Sequence, residues 1–171
     1  PLALAVVSPD STTLKMAVSR GWIRMSINLI PPTLLKTHWD AIRAGAIEAG
    51  READLNTWRV AREVFVAETS AEARKHALDG VIARDFRDYF LRLLPKVGML
   101  QLLKNDPNMA DSDVTMEYLV DNLFIVGNVD EVAQKLNDLK GEVGHFGTLL
   151  AMGHEWAVSY THLTLPTILL V

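Results

Sequence analysis

The feature that most constrains this chain is an alternation in which short apolar runs are each followed by an amphipathic segment with helix-capping residues. The first run, Leu2 to Val7, is apolar throughout and stops at Ser8-Pro9-Asp10. A strand with no polar side is buried on both faces, the situation of a parallel sheet covered by helices. Polar residues at 8 to 13 then give way to Leu14, Met16, Ala17 and Val18 before Gly21, the pattern of a short helix with hydroxyl residues at its start and glycine at its stop. Trp22 to Leu29 repeats the strand pattern. Beyond Pro31-Pro32, residues 34 to 49 carry Leu35, Trp39, Ile42, Ala46 and Ile47 near helical spacing until Gly50. Trp58 to Ala67 is a third strand, and Thr69-Ser70-Ala71-Glu72 is a capping box opening a helix expected to run to about Leu94.

From Pro95 to Asp113 the pattern turns irregular, with Gly98, Asn105-Asp106-Pro107-Asn108 and Asp111-Ser112-Asp113, which is turn chemistry within an insertion. Val114 to Leu123 reads as helix and Phe124 to Val126 as a short apolar run. Asn128 to Glu131 caps a helix whose apolar face is Val132, Leu136 and Leu139, and Gly144 to Leu150 supplies a last buried strand. Strands alternating with helices define a parallel α/β fold, and four such strands are half of what an eight-stranded barrel needs. The chain begins at Pro1 inside an apolar run, with no Met and no polar lead-in, so it is expected to be a piece of a larger fold.

Composition narrows the partners. With 49% hydrophobic and 22% charged residues over 171 positions, the chain can bury a core. A net charge of −4 with no basic run argues against nucleic acid or anionic lipid. The absence of cysteine removes disulfides, thiolate nucleophiles and Cys-ligated zinc, and leaves a cytoplasmic setting as the default. Neither a signal peptide nor a membrane span is read, and no pair of histidines has the spacing of a metal site. Dinucleotide, P-loop, nucleophile-elbow and zincin motifs do not occur.

Ser8-Pro9-Asp10-Ser11-Thr12-Thr13 after the first strand, Arg59 to Arg74, Asp113 to Thr115, Ile125 to Ala133, and Phe146 to Leu150 followed by His154-Glu155-Trp156 stand in an order that resembles the luciferase-like flavin-dependent monooxygenases, closest to their limonene or alkane monooxygenase-like branch. The resemblance covers roughly residues 2 to 156. It implies an α/β fold that is the C-terminal half of a (β/α)8 TIM barrel, about four βα units over residues 1–156. Residues 157–171 are expected to be a non-native or disordered tail. The implied activity is oxygenation of a small organic substrate with dioxygen and reduced FMN supplied by a flavin reductase. A deazaflavin-dependent oxidoreductase of the same fold and a non-catalytic half-barrel association module are the alternatives. The full-length enzyme is expected to be a homo-oligomer, and the fragment alone is expected to be inactive. The family's first four βα units, which by resemblance hold a frequently catalytic histidine, have no counterpart here, so no catalytic residue is assigned.

The candidate site residues are Ser8, Ser11, Thr12 and Thr13, at a strand-to-helix junction on the end of a barrel where active sites gather. Hydroxyls and unpaired backbone N–H groups at a helix N-terminus suit a dianion. The competing reading is an ordinary N-cap by Ser8 or Ser11. By resemblance, this loop contacts the flavin phosphate. His154-Glu155-Trp156 follows the last strand on the same end, where His154 reads either as an acid–base group or as a solvated loop residue. His38, His76 and His145 read as surface or internally satisfied histidines. Arg59, Arg62 and Arg74 with Glu63, Glu68 and Glu72 read as a solvated salt-bridging stretch, in which either Arg59 or Arg62 could point into the barrel. Trp22, Trp39 and Trp58 read as packing residues.

Overall fold

The computed structural model describes residues 2–154. Its sheet has five parallel strands: β1 (Ala3–Val6), β2 (Ile23–Ser26), β3 (Trp58–Val66), β4 (Ile125–Gly127) and β5 (Thr148–Met152). β1 lies beside β2, with Ala3 opposite Ile23 and Val6 opposite Ser26. The first part of β3 pairs on one edge with β2, Arg24 opposite Trp58, and on the other with β5, Arg59 opposite Thr148 through Glu63 opposite Met152. Only the last three residues of β3 pair with β4. The order β1-β2-β3-β5 is thus the expected four-stranded section of a parallel barrel, and the short apolar run near 125 adds a small strand beside the end of β3.

The strand period separates two faces. Leu4, Val6, Ser26, Trp58 and Val60 point toward α1 (Thr12–Ser19), α2 (Pro32–Glu48) and a later helix, α7 (Val129–Val143), forming one core with Leu14, Leu35, Ile42 and Leu139. Leu14, Leu35 and Ile42 are fully buried, each contributing roughly 1.5–3 kcal/mol of transfer free energy. Trp58 stacks on Trp39 with ring centroids 5.9 Å apart and meets the edge of Phe146 at 6.4 Å, the packing role expected of these indoles. A second core joins α3 (Ser70–Asp79), α4 (Val81–Asp85), α5 (Leu91–Lys96) and α6 (Met116–Asn122) around Phe86, Leu103, Leu119 and Phe124.

The long helix expected after Thr69 is broken. Thr69 caps α3, accepting from the Glu72 amide, but without the reciprocal Glu72 bond of the expected capping box, and α3 ends at Asp79. Gly80 takes φ −88° and ψ −160°, and a Cβ there would collide with the carbonyl oxygen of His76. The chain restarts as α4, widens into a π-helical turn over Phe86–Phe90 and continues as α5. Gly80 thereby aims α4 differently from α3 and brings Asp85 and Phe86 to the strand ends. The Asn128 cap of α7 is a full capping box, reciprocal between Asn128 and Glu131. No helix among the described residues is long and apolar enough to cross a membrane.

Candidate functional site

The C-terminal ends of β1, β2, β3 and β5 carry two polar groupings. At the end of β1, Ser11 is the N-cap of α1 and its Oγ accepts from the Leu14 amide at 3.3 Å. Accepting that bond leaves the hydroxyl proton free to donate, so capping and anion binding are compatible in one side chain. Ser11 is buried, whereas Ser8, Thr12 and Thr13 are exposed. The first-turn amides of Thr12 and Thr13 have no acceptor among the described residues. Asp10 reverses the chain with φ +47°, and its amide donates to Thr37 Oγ1 at 3.3 Å. The four residues predicted as a site therefore share one turn, with hydroxyls and free amides on its open side.

This turn is anchored from beneath by His38, which is fully buried. The Nε2 atom of His38 lies 2.8 Å from the Ser8 carbonyl, which can only accept, so Nε2 carries the proton. Nδ1 then accepts from Ser26 Oγ at 2.8 Å, and Ser26 Oγ accepts from Trp58 Nε1 at 2.9 Å. Burial holds His38 below its ordinary pKa, which keeps the ring neutral and the chain Trp58–Ser26–His38–Ser8 saturated. The expected internally satisfied histidine thus positions the candidate anion loop. No single residue type in the sequence marked Ser26 as its partner.

The second grouping overturns two sequence expectations. Arg62 and Glu63 are not solvated: they are 1% and 0% exposed. Strand alternation puts Arg59 on the sheet face opposite the helix-packed one, together with Ala61 and Glu63, while Arg62 lies on the helix-packed face and donates to the Ala61 carbonyl. Burial lowers the Arg62 pKa to about 10. Nor is His154 a solvated loop residue. Its side chain is 11% exposed, its Nδ1 lies 3.0 Å from Asp85 Oδ2, and its Nε2 lies 3.5 Å from Glu63 Oε1. Glu63 Oε1 also accepts from Asn28 just beyond β2. Helix length alone did not show that α4 would carry Asp85 to this point. Glu155 and Trp156 lie outside the described residues, as does the tail 157–171.

Known proteins resemble this chain over most of its length. Residues 1–145 match the model of a family described as luciferase-like monooxygenase. The chain is 32% identical over 155 residues to 3,6-diketocamphane 1,6-monooxygenase of Pseudomonas putida, covering 91% of this chain and 41% of that protein. It is 25% identical over 158 residues to limonene 1,2-monooxygenase of Rhodococcus erythropolis, covering 90% and 37%. Among solved structures, the oxygenating constituent of the P. putida 3,6-diketocamphane monooxygenase, a type II Baeyer–Villiger monooxygenase in complex with FMN, superposes with a TM-score of 0.81 at 33% identity, over 90% of this chain and 42% of that one. The chain spans about two fifths of the length of these relatives.

Proposed function

The chain belongs to the luciferase-like monooxygenase family, and from that premise we propose that it serves a flavin-dependent monooxygenase, holding the phosphate end of FMN at the turn Ser8–Thr13. The observation that carries the reading is the turn itself: two free first-turn amides and an available Ser11 proton at a strand's C-terminal end. Thr12 and Thr13 hydroxyls flank those amides, Ser11 orients by capping, and the His38 bond to the Ser8 carbonyl fixes the backbone before any ligand arrives. When bound, reduced FMN would supply the oxygen chemistry with O2, and a separate flavin reductase would supply the reduced flavin. The substrate class is a small organic molecule. The FMN complex of the relative at 33% identity favours FMN over a deazaflavin. A cytoplasmic setting and a homo-oligomeric full-length enzyme complete the proposal.

Titration of the 171-residue chain by flavin fluorescence tests the phosphate assignment. FMN should bind more tightly than phosphate-free riboflavin, and Ser11→Ala with Thr12→Ala should weaken FMN by about tenfold or more while leaving riboflavin unchanged, since a hydrogen bond to a charged group is worth roughly 1.5–3 kcal/mol. Equal weakening of both flavins would make the turn a helix cap and nothing more.

A further inference from the structure

The Glu63–His154–Asp85 cluster lies apart from the phosphate turn and does not depend on the flavin reading. It joins three elements that are distant in sequence: β3 gives Glu63, the residue two beyond β5 gives His154, and the end of α4 gives Asp85. A neutral imidazole carries one N–H and can donate to one of the two carboxylates; the imidazolium can donate to both. Phe86, the residue after Asp85, is fully buried, stands 6.5 Å from the His154 ring and packs edge-on against Phe124 at 4.8 Å, so whatever holds Asp85 also seats this ring. Glu63 is fully buried; neither its Oε2 nor His154 Nε2, 3.5 Å from its Oε1, makes a hydrogen bond among the described residues, so its charge is met by the Asn28 amide at Oε1, by the nearby His154 ring and by the adjoining Arg62 guanidinium.

We propose that Glu63, His154 and Asp85 form a proton-dependent latch that holds the α4 segment down across the C-terminal ends of β3 and β5. With His154 protonated, Nδ1 is hydrogen-bonded to Asp85, Nε2 faces Glu63 as an ion pair, and the mouth of the strand ends is closed on this side. With His154 neutral, its one remaining N–H goes to the fully buried Glu63, which no water can reach, and the tautomer shift costs Asp85 its 3.0 Å bond; Asp85, half-exposed and 3.6 Å from the neighbouring Arg84, then turns outward to that guanidinium. The groups facing His154 are Glu63 from β3, Asp85 and Phe86 from the α4 segment, and through Glu63 the Asn28 amide beyond β2; Arg62 adjoins Glu63 from the opposite face. The Glu63 carboxylate, with Asp85 beside it, holds the imidazole above its ordinary pKa against the opposing effect of burial. The sign follows: a raised folded-state pKa means the latch is fully made below the unfolded value and is lost as pH rises through the folded one.

Hydrogen exchange of the 171-residue chain, corrected for intrinsic rates and followed between about pH 6 and 9, tests this together with an NMR titration of His154. Protection of residues 81–90 should fall about tenfold as His154 deprotonates, while that of α7 stays constant. Asp85→Asn and Glu63→Gln, which keep the shape of each side chain, should each lower the His154 pKa and flatten the pH dependence at 81–90. Wild-type protection that ignores the titration, or a His154 that titrates at or below its ordinary value, would overturn the latch.

Discussion

Removing a single oxygen atom, that of Ser26, should cost more than its size implies. Ser26→Ala leaves two buried groups without partners, the Trp58 indole N–H and His38 Nδ1. Each orphaned buried group costs about 1–3 kcal/mol, so the expected loss is about 2–6 kcal/mol in urea-induced unfolding. Ser19→Ala, which removes an exposed hydroxyl bonded only to the Met16 carbonyl within the same helix, should change stability by less than about 0.5 kcal/mol. Equal effects of the two substitutions would show that the buried relay contributes nothing special. The two central histidines also behave oppositely: His38 is kept neutral by burial, whereas the carboxylates around His154 favour its charge.

Helices respond to glycine according to what stands beside it. Gly141 lies in α7 with open space where a Cβ would project, so Gly141→Ala should stabilise by about 0.5–1 kcal/mol through helix propensity. Gly80→Ala must displace the His76 carbonyl and should destabilise by about 1–3 kcal/mol. Thermal melts of the two variants should therefore move in opposite directions, and a rise in both would mean that the α3–α4 junction yields freely. This junction marks where the sequence became opaque. Strand positions, caps and α2 could be read because apolar period and capping residues act locally: Ser11, Thr69 and Asn128 all cap where their types predict, whereas β1 and β5, read as buried strands, are each partly exposed because no element among the described residues covers their second face. The break at Gly80 and the burial of Arg62 and Glu63 could not, because they depend on what packs across from them. The candidate site divides the same way. The Ser8–Thr13 turn is contiguous and visible, whereas Glu63, Asp85 and His154 meet only after the chain has folded back on itself.

At the scale of the molecule, the ladder β1-β2-β3-β5 ends in two strands that are each paired on one edge only among the described residues. The face of the ladder away from α1, α2 and α7 shows Ala3 and Ala5 exposed and Met152 at 38% exposure. Open parallel edges beside an apolar face are a template for association. The 171-residue chain should therefore self-associate with rising concentration in size-exclusion chromatography with light scattering; a monomer at every concentration would count against the open-ladder description. The double pairing of β3 also bears on how the chain is made. Arg59 leaves the ribosome long before its partner Thr148, roughly 90 residues later, an interval of about 5 to 20 s at ordinary rates of synthesis. Through that interval the central strand has one side filled by β2 and the other bare, so the nascent chain would carry an unfinished seam that chaperones or neighbouring polypeptides could occupy, and productive folding must await β5.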